Sequence, residues 1–169
     1  KCLPNGDKMK KMQSFLLVAI LVLSQFAFAG DKFPVGPDLN VTPGDVCENS
    51  GVKRYPENID YCERNVSSQT KNELIRMYDE KFGYQIEQMN RQDFKIDHFI
   101  PLSIGGSNST RNLWPQHKSV YTVTDPLESI LSNKITQGRI KQAEAIRVIK
   151  EAKLNLGRVP ELIHYVNSL

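Results

Sequence analysis

An acid, an imidazole and a carboxamide recur at short spacing in residues 94–116, FKIDHFIPLSIGGSNSTRNLWPQ. Asp97 and His98 are adjacent, and Asn112 follows beyond the glycine pair Gly105-Gly106. A carboxylate holds a hard divalent cation such as Mg²⁺, which takes few protein ligands and keeps several waters. An imidazole, with an unperturbed pKa near ~6.5, works as a base close to neutral pH. That pairing suits metal-assisted hydrolysis of a phosphodiester: the base activates water, and the cation stabilises charge on the phosphoryl oxygens and leaving group. An Asp-His dipeptide alone says little. The combination says more.

Positioning these groups requires a ribbon. Phe94, Lys95 and Ile96 alternate into Asp97-His98 as a strand, and Pro101, which donates no ladder hydrogen bond, limits it. The glycine pair and the small polar run Ser107 to Thr110 make a turn. Asn112-Leu113-Trp114 resumes the extended pattern, with Pro115 as its expected end. Successive strand residues face opposite sides, so Asp97 and His98 diverge unless the backbone bends there. Asn112 is placed to hydrogen-bond across the ribbon and hold the loop that carries His98. Trp114 reads as core.

Helices flank the ribbon. Ser67 or Ser68 caps one that runs to about Phe82, with Leu74, Ile75, Tyr78 and Phe82 on one face. Residues 83–93 read as a polar connector. Asp125-Pro126-Leu127-Glu128 reads as a helix start, with Asp as N-cap, Pro at N1 and Glu at N3. Leu127, Ile130, Leu131 and Ile135 are expected inside, and Gly138 ends the helix. A further helix over 141–154 turns Ala143, Ile146, Val148 or Ile149, and Ala152 inward. A short last helix spans 161–167, where His164 reads as a partly buried surface histidine.

Residues 1–29 have a different character. Lys8, Lys10 and Lys11 precede the apolar run from Phe15 to Leu23, and Ala27-Phe28-Ala29 offers a small-residue cleavage site. This is the pattern of a secretory signal peptide, and its apolar run is short for a membrane span. Residues 1–8, ahead of Met9, are expected to be non-native. The mature chain is therefore expected to be secreted or periplasmic, with no membrane anchor. Four of the 22 basic and one of the 19 acidic side chains lie in 1–29, leaving 18 of each. Any nucleic-acid footprint must then be local. The stretch from Ser129 to Arg158, with seven Lys or Arg against Glu144 and Glu151, is a candidate phosphate groove.

Cys47 and Cys62 remain in the mature chain, with fourteen residues between them. In an oxidising compartment they are expected to bridge and pin the Pro- and Gly-rich extended segment 30–66, contributing about 3 kcal/mol in the chain-entropy model. Both lie upstream of the ribbon, so the bridge is expected to act on stability rather than on the ribbon's chemistry.

The stretch IDHFIPLSIGGSNSTRNLWPQ strongly resembles the HNH (ββα-metal) endonuclease superfamily, specifically small secreted bacterial proteins. YCERNVSS at 61–68, the helix after it and DPLE at 125–128 fit the same group, so the resemblance spans about residues 43–153. It implies an α+β fold in which a short two-stranded ribbon and a helix form a ββα-metal core, residues 94–135, within a nuclease domain at 67–169. Additional helices pack against that core, and the extended segment precedes it. It implies Asp97 on the metal side, His98 as general base and Asn112 as the middle Asn, with a 5′-phosphate product.

The family usually places a metal-binding His or Asn on the helix, eight or nine residues past that Asn. Here those positions are Val120 and Tyr121. His117 or Gln116 is the expected substitute, with Asp125 behind them. Arg111, Lys118 and Lys95 are the candidate phosphate clamps. The implied cofactor is a divalent ion, Mg²⁺ before Mn²⁺, Ni²⁺ or Zn²⁺. The implied partner is nucleic acid, DNA before RNA, cut with weak sequence preference, and an immunity-type inhibitor is a further partner the resemblance allows. The competing expectation is a non-enzymatic relative that keeps the fold and binds nucleic acid or an envelope partner.

Overall fold

A computed structural model describes residues 31–169, and the expected leader, residues 1–29, lies outside the described residues. The described chain is mixed α+β, with two small antiparallel two-stranded sheets and four α-helices among the described residues. A minor hairpin pairs β1 (Lys53–Arg54) with β2 (Ile59–Asp60). The ribbon pairs β3 (Phe94–His98) with β4 (Leu113–His117). Helix α1 (Ser68–Phe82) precedes the ribbon, and α2 (Lys118–Thr136), α3 (Gln142–Leu154) and α4 (Val159–Ser168) follow it.

Local chemistry explains most boundaries. Ser67 accepts from the Thr70 backbone N–H at 3.0 Å and caps α1, which ends at Gly83 in the left-handed region. The 83–93 connector contains two single-turn 3₁₀ segments and buries Ile86. In the ribbon Asp97 pairs with Trp114 and His98 with Leu113. Pro115 does not end β4. It lies inside the strand opposite Ile96, and a two-stranded ribbon has a free edge where its missing N–H costs no ladder bond. Gly106 is required by close approach, because a Cβ there would drive into the Ile100 carbonyl.

Two apolar clusters hold the elements. Leu74, Ile75 and Tyr78 of α1 pack against Phe94, Ile96 and Trp114 of the ribbon. Leu127, Leu131 and Ile135 of α2 pack against Val148, Ile149 and Ala152 of α3 and Leu162 and Val166 of α4. On α3 the inward residue is Ala145, with Ala143 exposed and Ile146 half-buried. His164 is exposed. Cys47 and Cys62 are bridged, with Cα atoms 5.7 Å apart.

Helix α2 departs from the sequence expectation. It starts at Lys118 and carries Pro126 within it, instead of starting at Asp125. A helix-interior proline costs about 3 kcal/mol. Burial of Val120, Thr124, Leu127, Leu131 and Ile135 along one continuous face offsets that cost. His117 supplies the N-cap, its Nδ1 accepting from the Ser119 N–H at 3.3 Å. Asp125 and Glu128 are therefore not capping residues. Being three apart, they share one helix face.

Candidate functional site

Asp97 and His98 end β3, and both are buried. Asp97 faces α2 and α3. Its Oδ2 lies 3.4 Å from Lys153 Nζ and 3.4 Å from Lys95 Nζ. Lys153 is fully buried; it also lies 2.6 Å from Glu128 Oε1 and donates to the His98 carbonyl at 2.6 Å. Lys95 reaches Asp125 at 2.9 Å and lies over the Tyr121 ring, 4.7 Å from its centroid. Three carboxylates and two ammonium groups thus interlock at the end of the ribbon.

The environment pushes these groups apart in acidity. Burial alone would raise the Asp97 pKa, but the Lys153 and Lys95 charges outweigh it and hold the carboxyl below the usual carboxylate range. Burial raises Glu128 above its ordinary value despite Lys153. Burial also lowers His98 below the ordinary histidine value, so its ring is neutral at pH 7. A neutral imidazole beside an ionised carboxylate is the protonation pattern a general base needs.

Asn112 is fully buried and works on the loop. Its Oδ1 accepts from the Ile100 N–H at 2.8 Å, and its Nδ2 donates to the Ile100 and Ser107 carbonyls, each at 2.9 Å. It closes the chain between the two strands and touches no carboxylate of the site.

Two adjoining cavities, about 430 Å³ and 290 Å³, run along this end of the molecule. Both are lined by Arg64, Asp97, Ser103 and Glu128. The larger adds Lys95 and Asp125, and the smaller adds Tyr61 and His98. One groove therefore brings together a neutral histidine, three carboxylates and two cations. Arg64 was not singled out from the sequence. The only signal for it was its place in YCERNVSS, two residues after the bridged Cys62.

The structure separates other candidates from this groove. His117 pairs with Phe94 at the far end of the ribbon, with its ring stacked 4.0 Å from the Phe33 centroid. Strand alternation puts it on the face opposite Asp97, so the two do not share an ion. Gln116 donates to the Thr124 hydroxyl at 3.2 Å. Lys118 pairs with Asp93 at 2.9 Å, and Arg111 lies on the turn before β4, outside the lining of both cavities. Of the three clamps expected from the sequence, only Lys95 is in the groove. Nor do the basic residues of 129–158 form one: Arg147 and Arg158 pair with Glu151, Lys150 donates to the Pro43 carbonyl, and Lys153 lies beneath the site. We expect His117→Ala to lower thermal stability, through lost stacking and capping, while leaving Mn²⁺ affinity within about twofold. Isothermal titration with Mn²⁺ and a melting curve check both halves.

Oxygen atoms of Asp97, Asp125 and Glu128 lie within 4.8 Å of one another. An all-oxygen set suits Mg²⁺ or Mn²⁺ better than Zn²⁺ or Ni²⁺, which favour nitrogen and sulfur. These donors fit a small hard cation, but two ammonium groups already share them, so affinity is expected to be weak. Among the described residues, no helix is long and apolar enough to cross a membrane. No family model, curated protein or solved structure matches this chain.

Proposed function

We propose that this protein is a secreted, divalent-metal-dependent endonuclease of HNH (ββα-metal) type that hydrolyses phosphodiester bonds with little sequence preference. The observation that carries this reading is the shared groove, in which buried, neutral His98 stands beside ionised Asp97 with Arg64 and Lys95 alongside.

In this reading the hairpin β3–β4 and helix α2 are the ββα core. His98 takes the proton from the attacking water. Arg64 and Lys95 bind the phosphate, and Asn112 keeps the loop behind His98 closed. Asp97, Asp125 and Glu128 would hold the cation, which when bound supplies charge stabilisation at the phosphoryl and leaving oxygens. With three carboxylates against Lys95 and Lys153, the cluster carries a formal charge of −1. A dication changes that to +1, and one phosphodiester restores neutrality, so ion and substrate are expected to bind together.

The groove offers no row of side chains suited to base edges, and phosphate contacts carry no sequence information. DNA before RNA is the substrate that the family resemblance implies. Cleavage of plasmid DNA by residues 30–169, oxidised, with and without Mg²⁺ or Mn²⁺, tests the reading. Asp97→Ala is expected to lose most activity and recover part of it at raised metal concentration. The two resident ammonium groups motivate the competing reading, a non-catalytic nucleic-acid-binding relative. Salt-dependent DNA binding without cleavage in any divalent metal would select that reading.

A further inference from the structure

The inference deepens the proposed role of His98 and rests on that reading. It concerns what decides which ring nitrogen carries the proton. Asn108 lies half-buried on the turn between the strands, against the segment that follows Cys62. Two backbone groups of opposite polarity hold its amide. Nδ2 donates to the Glu63 carbonyl at 2.7 Å, and Oδ1 accepts from the Asn65 N–H at 3.2 Å. A carbonyl only accepts and an N–H only donates, so flipping the amide would lose both bonds.

The same Oδ1 lies 3.2 Å from His98 Nε2. An amide oxygen has no proton to give, so this hydrogen bond forms only when Nε2 carries the hydrogen. In the neutral ring the lone pair is then on Nδ1. That atom is buried and has no hydrogen-bond partner among the described residues. Leaving a buried acceptor unpaired costs about 1–3 kcal/mol, and such a cost is tolerated where the atom has another use.

We propose that Asn108 is a positioning residue that holds His98 as the Nε2–H tautomer and leaves Nδ1 as the proton acceptor. Asn108 itself lines neither cavity and hydrogen-bonds none of the three carboxylates; its contact with the groove is the one to His98. It acts through His98. Glu63 and Asn65 flank Arg64 and follow the bridged Cys62, so the disulfide braces the segment that orients this amide. On this proposal the bridge bears on the ribbon's chemistry as well as on stability, and loss of the His98 tautomer pattern on reduction would distinguish this from the sequence expectation of an effect on stability alone.

The test is the ring ¹⁵N spectrum of the three histidines at pH 8, with His98 assigned by comparison with His98→Ala. Wild type is expected to show a protonated Nε2 and an unprotonated Nδ1 for His98. Asn108→Asp keeps the acceptor and is expected to keep that pattern. Asn108→Ala removes it and is expected to give intermediate shifts from mixed tautomers. In plasmid cleavage, Asn108→Ala should lower kcat by roughly 10- to 100-fold with KM nearly unchanged. That is less than the ~10⁴ lost in a serine protease when the charged orienting aspartate is replaced by its amide and the wrong tautomer results. A wild-type spectrum with the proton on Nδ1 overturns the proposal. So does an Asn108→Ala protein that melts normally with an unchanged His98 pattern. Because the spectrum needs no turnover, it can fail or succeed independently of the nuclease reading.

Discussion

Replacing His98 by alanine is expected to reduce plasmid cleavage by about 10²- to 10⁴-fold, the usual contribution of a positioned base. Affinity for DNA, measured at fixed salt without metal, should change by less than about twofold. The two quantities separate because they come from different groups. On the proposed reading, binding draws on cations facing phosphate, here Arg64 and Lys95, and its salt dependence reports them. Turnover, on the same reading, needs a neutral nitrogen near the attacking water, and among the described residues His98 is the only histidine lining the groove. Burial lowers its pKa, so the wild-type rate should fall on the acid side only below the ordinary histidine value. A rate that fell in step with a normal histidine would contradict this environment. Equal loss of affinity and turnover in His98→Ala would mean that the residue holds the fold rather than the proton.

How much of this was legible in the sequence depends on distance along the chain. Alternation and the glycine turn are local signals, and they placed β3, the turn and the opening of β4 within a few residues. Ser67 as the cap of α1 was legible for the same reason. Pro115 and the Asp125-Pro126 start misled because each is a local rule overridden by tertiary context. The first proline sits on a free ribbon edge, and the second is carried by a helix whose buried face continues through it. Misreading the start of α2 made Asp125 and Glu128 look like capping residues, so Glu128 was missed and Asp125 stood behind His117 and Gln116 as a candidate ligand. Arg64 and Lys153 were not legible at all as site residues. Arg64 joins the groove lining from 33 residues before Asp97 and Lys153 bonds Asp97 from 56 after it, and neither stands out among the other cations of the chain. The empty helix positions Val120 and Tyr121 did carry information. They directed attention to His117, although the carboxylates that actually approach Asp97 lie further along the same helix.

Lys153→Met is expected to have the largest effect on stability. The substitution keeps chain length and removes the charge that joins Asp97, Glu128 and the His98 carbonyl. Breaking a buried ion pair from one side costs about 3–5 kcal/mol, because the remaining charges stay buried without their partner. The deficit should depend on pH with a definite sign. In wild type the Asp97 pKa is depressed, so its contribution is present above the unfolded value of 3.8 and is lost only as pH falls through its lower folded value. Glu128 is raised, so its contribution is present below the unfolded value of 4.5 and is lost as pH rises through its higher folded value. Without Lys153 both carboxyls move upward and take protons more readily, which relieves their repulsion. The gap in melting temperature between wild type and variant should therefore narrow from pH 7 to about pH 5. Adding Glu128→Gln to the variant should recover part of the loss at pH 7, since it removes the carboxylate left without an ammonium partner, whereas Asp97 keeps Lys95. Mn²⁺ should stabilise the single variant more than wild type, because an ion there no longer competes with a resident ammonium group. A gap that stays constant across the pH range, with no recovery in the double variant, would show that Lys153 does not hold this cluster together. The electrostatic account of Asp97 would then fall with it.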